Sequence, residues 1–176
     1  EESHYSKDTQ SDYVGALCTR VKSLTNGIYG SVFCAEDALS DAELFDCNVV
    51  VDLSRVGSME TKSLLMGILV MKLQEYRMCG SEMNSRLRHV TVLEEAHNLL
   101  RKTSAEQSQE GANLQGKSVE MLANAIAEMR TYGEGFIIAD QAPGLLDMSV
   151  IRNTNTKIIL RLPDEEDRKL VGKSAA

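Results

Sequence analysis

The chain has no tryptophan, only 3 phenylalanines and 2 prolines, and no long apolar run. The longest, from Leu64 to Met71, is broken by Gly67 and falls well short of the ~20 residues that span a bilayer, so no membrane span is expected. With 12 glycines and no low-complexity tract, a collagen-like, fibrous or disordered chain is excluded as well. Four cysteines, Cys18, Cys34, Cys47 and Cys79, form no C-x-x-C pair, which argues against a zinc ribbon or a disulfide scaffold. They read as reduced and mostly buried thiols. The three histidines, His4, His89 and His97, are scattered, and the EEAH of Glu94 to His97 lacks the H-E-x-x-H zinc spacing. A basic excess is missing too: the net charge of −7 excludes a protein that coats nucleic acid through bulk positive charge. The N-terminal EESHYSKDTQSDY has neither a basic nor an apolar signal region, so the cytoplasm is the expected location.

What is present suffices for one globular core: 176 residues, 43% hydrophobic and 26% charged. The acidity is confined to the first third, since residues 1–60 hold 11 acids against 4 bases and residues 61–176 hold 15 of each. Val14, Leu17, Cys18, Val21 and Leu24 have helical spacing, and Thr25-Asn26-Gly27 is a turn signal. Residues 1–46 are therefore expected to form a helical lid or insertion, and residues 47–176 the core.

In that second part, strands and helices alternate. Val49-Val50-Val51 ending in Asp52 suits a strand buried on both faces. A deeply packed helix over Met59 to Met78 follows, then a strand Val90-Thr91-Val92-Leu93 ending in Glu94-Glu95 and opening into a helix at Ala96. Residues 103–116 read as a polar, mobile loop, and a helix runs from about Lys117 to Thr131 with Gly133 ending it. A third strand, Phe136 to Ala139, ends at Asp140-Gln141, a fourth spans Lys157 to Leu162, and a last helix starts at Pro163-Asp164. The fold class expected is α/β with a mostly parallel sheet and helices on both faces. In such sheets the working edge lies at the strand C-termini, where Asp52, Glu94, Glu95, Asp140 and Gln141 fall.

HVTVLEEAHNLL has the form of a Walker B strand, a buried run presenting two acids, one to hold Mg²⁺ through water and one to orient the attacking water. Acids at strand-to-helix turns are also common because they favour helix N-termini. EEAH is further reminiscent of the DEAH box of helicases, but the Ser-Ala-Thr segment expected with that box is missing. In FIIADQAPG, Gln141 is placed to sense the γ-phosphate or the water; the plainer alternative is a turn residue before Ala142-Pro143-Gly144.

Four blocks, NVVVDLSRVGSMETKSLLMGILVMKLQEYR, HVTVLEEAHNLL, EMLANAIAEMRTYGEGFIIADQAPG and IRNTNTKIILRLPDEEDRKLVGKSA, together resemble the HerA-type ATPases of the HerA and FtsK superfamily. The resemblance covers about residues 48–176. It implies a RecA-like, P-loop NTPase type core, a homo-oligomeric hexameric ring, ATP and Mg²⁺ as cofactors, and double-stranded DNA as partner. By that resemblance Glu94 is the magnesium-associated acid, Glu95 the catalytic glutamate, Gln141 the sensor and Arg130 a finger offered across the subunit boundary. Glu94 stands where Asp is commoner. Arg152 and Arg161, flanking TKIILRL, are further nucleotide-side candidates; any of these arginines could instead form a surface ion pair.

Residues 111–118, GANLQGKS, match G-x-x-x-x-G-K-[ST], with Gly111, Gly116, Lys117 and Ser118 in the key places. A phosphate loop must follow a buried strand, and the residues before this one are polar throughout. It also lies after Walker B rather than before it, so the match is read as a decoy beside an ordinary helix start. The resemblance places the region after Walker B on the channel side of the ring, which makes Lys117 and Arg101-Lys102 candidates for DNA contact. The resemblance places the true Walker A upstream, so the chain is expected to be the C-terminal part of an incomplete ATPase core, inactive alone. The alternative function is a nucleotide-binding, non-hydrolysing ring scaffold that recruits a nuclease or other effector.

Overall fold

The computed structural model describes residues 7–80, 82–102 and 109–174, which form two compact units, Glu1–Ser40 and Asp41–Ala176. In the first, helix α1 (Lys7–Leu24) leads through a turn at Asn26 into α2 (Gly27–Phe33). Gly27 sits at φ +60, a left-handed conformation open to glycine, which reverses the chain where the Thr25-Asn26-Gly27 signal predicts it. The stripe of α1 formed by Tyr13, Val14, Leu17 and Val21 is exposed.

The second unit holds α3 (Asp41–Phe45), α4 (Met59–Gly80), strand β1 (His89–Glu94), α5 (Gln109–Met129), strand β2 (Glu134–Ala139), α6 (Met148–Asn153) and α7 (Glu165–Ser174). Strands β1 and β2 pair in parallel, from His89 opposite Glu134 to Glu94 opposite Ala139. Thr91, Leu93, Phe136 and Ile138 share one face, and Leu93, Phe136 and Ile138 join the core with Val70 and Leu73 of α4 and Leu122, Ala123 and Met129 of α5. The unit is thus mixed α/β with a small parallel sheet. Among the described residues no helix is long and apolar enough to cross a membrane.

Local chemistry explains the boundaries. Asp147 accepts from the Ser149 N–H at 2.9 Å to start α6, and Asp164 accepts from the N–H groups of Glu166 and Asp167 to start α7. Gly133 ends the helical stretch at φ +83, where a Cβ would meet the Arg86 carbonyl oxygen at 2.5 Å.

Several expectations are corrected. Residues 48–52 and 157–162 are not strands: each runs without a ladder partner, and Val50 is 92% exposed. An apolar run becomes a strand only where another strand meets its N–H and C=O groups. Asp52 therefore leaves the sheet edge and closes a turn, accepting from the Ser54 N–H at 2.8 Å. Helices cover one sheet face only; on the other, Val92 is 55% and Ile137 53% exposed. Helix α4 is correspondingly one-sided, burying Met66, Val70, Leu73 and Arg77 while Leu64, Ile68 and Met71 stay exposed. The helix expected at Ala96 is a single 3₁₀ turn, Ala96–Asn98. All four cysteines are exposed, because they lie on the outward side of α1, just after α2 and α3, and in the last turn of α4. Helix α5 begins eight residues before Lys117, so residues 109–116 are helical rather than a loop; residues 103–108 and His4 lie outside the described residues.

Candidate functional site

The C-terminal ends of β1 and β2 bring Glu95, Asp140, Gln141 and His97 together, with Glu94 as the last residue of β1. Glu94 ends β1 and is exposed. Glu95 follows in the left-handed region, at φ 50 and ψ 46, before the chain enters the 3₁₀ turn. For a non-glycine residue this backbone costs about 1–2 kcal/mol, and such strain concentrates at functional sites. The Gln141 side-chain amide donates from Nε2 to Glu95 Oε1 at 2.6 Å. The contact exists because the parallel register puts Glu94 beside Ala139, so the residues just beyond each strand meet.

Beneath it, Asp140 is almost sealed from solvent, its side chain 3% exposed. Its Oδ2 accepts from the His97 backbone N–H at 2.8 Å and faces His97 Nδ1 at 2.9 Å, while Oδ1 accepts from the Ala142 N–H at 2.9 Å. His97 Nδ1 also lies 3.7 Å from Glu95 Oε2. The sequence puts Asp140 at this edge without a task and offers His97 only within EEAH, as a zinc or DEAH-box candidate. The available signal was EEAH meeting DQ at adjacent strand ends.

Glu94 is the residue on which a magnesium ion could rest. Among the described residues no group of three or more His, Cys, Asp or Glu forms a metal cage. An exposed carboxylate beside a second one still suits Mg²⁺, which keeps most of its water and takes one or two carboxylates plus substrate phosphates.

The arginines lie elsewhere. Arg130 precedes β2, at the sheet end opposite Glu95 and Gln141, separated by a six-residue strand or roughly 20 Å. Arg152 is in the last turn of α6 and Arg161 in the extended segment before α7. All three are exposed, and none forms an ion pair with a described residue. The GKS sequence lies inside α5, where backbone N–H groups are spent on the helix and cannot cradle a phosphate.

A second polar cluster closes the other end of the sheet. Glu134, its side chain 0% exposed, accepts from Arg77 Nε at 2.9 Å and from the Thr91 hydroxyl at 2.6 Å, and faces His89 Nδ1 at 2.8 Å. Arg77 donates further to Asp46 at 2.6 Å and to the Phe45 carbonyl, and the Tyr76 hydroxyl donates to Asp46 at 2.6 Å. Burial works against the Arg77 charge, but its bonds to Asp46 and Glu134 outweigh this and push its pKa up. With each nitrogen of the Arg77 guanidinium and both oxygens of Glu134 paired inside the protein, this cluster reads as structural.

No protein-family model, curated protein or solved structure matches the chain.

Proposed function

We propose that this chain is part of an ATP-hydrolysing, ring-forming DNA translocase of HerA type, with β1 as Walker B strand and β2 as sensor strand of a RecA-like core. The observation that supports it most is the 2.6 Å bond from Gln141 to Glu95 across two parallel strand ends, beside the exposed Glu94. In this reading Glu95 accepts a proton from the attacking water, and Gln141 fixes one carboxylate oxygen so that the other can face the water. Glu94 would hold the Mg²⁺ of Mg²⁺·ATP through water, and that ion would offset the charge on the γ-phosphate. Arg130, remote from its own Glu95, serves a neighbouring subunit, and Arg152 and Arg161 contact phosphate or the subunit boundary. Double-stranded DNA and a nuclease or other effector are the partners this family resemblance supplies, a warrant by analogy.

The test is Glu95→Gln in the full-length protein. Turnover should fall by about 10²- to 10⁴-fold, the range of a lost general base, while nucleotide remains bound. Hydrolysis at the wild-type rate would remove the assignment, and binding without hydrolysis in the wild type would favour the non-hydrolysing scaffold.

A further inference from the structure

We propose that Asp140 and His97 form a positioning pair that braces the turn carrying Glu95 and stands against its carboxylate. This rests on the nucleotide-hydrolysis reading of the same site. A carboxylate only accepts hydrogen bonds, so the 2.9 Å contact between Asp140 Oδ2 and His97 Nδ1 requires the proton on Nδ1. The same Asp140 oxygen holds the His97 backbone N–H, and its other oxygen holds the Ala142 N–H. Ring and backbone are thus clamped by a group that is itself fixed at both oxygens. The clamped ring places Nδ1 3.7 Å from Glu95 Oε2.

Gln141 thus bonds Glu95 Oε1, while the His97 ring, its Nδ1 proton spent on Asp140, stands against Oε2 as a contact at 3.7 Å and leaves that oxygen's lone pairs free. The left-handed backbone of Glu95 leaves few side-chain directions, and the pair selects among them. Asp140 acts through His97, and His97 through Glu95. Neither needs to touch nucleotide.

Steady-state ATP hydrolysis by the full-length protein tests this with His97→Ala, His97→Asn and His97→Gln. The Asn amide nitrogen lies where Nδ1 does and the Gln nitrogen where Nε2 does. Ala and Gln should each lower kcat about 10- to 100-fold, as outer groups that orient a reacting residue do, with KM for ATP changed by less than about two-fold. Asn should recover most of kcat. Wild-type kcat in His97→Ala overturns the pair and leaves the hydrolysis reading intact, as does recovery by Gln in place of Asn. If the Ala variant does not fold, the Asn-against-Gln comparison decides. A wild-type protein that does not hydrolyse ATP removes the hydrolysis reading, and the positioning role falls with it.

Discussion

Asp46 and Tyr76 show how a surface carboxylate is tied to a buried network. The Tyr76 hydroxyl and then the Arg77 guanidinium hold the Asp46 carboxyl below its ordinary range, and Asp46 in turn pushes the Tyr76 hydroxyl up. A carboxylate whose pKa is depressed in the fold stabilises the protein above its unfolded value, about pH 4. That contribution disappears as pH falls from about 4 through the lower folded value. Urea unfolding across pH 2–5, values chosen to bracket that window, should show the midpoint dropping, and Asp46→Asn should flatten the drop. Because Asp46 is half exposed, solvent screening keeps the effect modest.

Between elements, a buried ion pair ties Arg77 of α4 to Glu134 of β2. Arg77→Met leaves the Glu134 carboxylate buried and short of its strongest partner, which should cost about 3–5 kcal/mol in equilibrium unfolding. Adding Glu134→Leu should recover much of it, since an apolar pair removes the stranded charge; no recovery would show that His89 and Thr91 already satisfy Glu134. This bond joins residues 57 apart and has no local signature, so the sequence could not announce it. By contrast β1, β2, the turn at Gly27, the stop at Gly133 and the Asp164 cap were legible, because period, cap and turn chemistry act over a few residues. Residues 48–52 and 157–162 misled for the opposite reason: hydrophobicity reports a wish for burial, whereas a strand needs a partner chosen by the whole fold. In the candidate site, strand ends gave Glu94, Glu95, Asp140 and Gln141, but only coordinates join His97 to Asp140.

At the scale of the whole molecule, the helical state of Gly111–Ser118 separates motif from function. Lys117 is an exposed residue within α5. Lys117→Ala in the full-length protein should leave the Kd for a non-hydrolysable ATP analogue with Mg²⁺ within about two-fold by calorimetry, as exposed substitutions usually do. Loss of binding would make GANLQGKS a nucleotide contact and undo its placement here.

The pairing of His89 with Glu134 bridges 45 residues of chain, and the rest of the ladder bridges similar lengths. Every strand contact therefore waits on closure of a long loop, whose entropic cost grows only slowly with length but must be met before any pair forms. Helix α5 lies inside that loop and forms from local contacts, shortening the span that remains to be searched. The sheet that aligns Glu95 with Gln141 is therefore expected to form after α5, as a slower step than any local element.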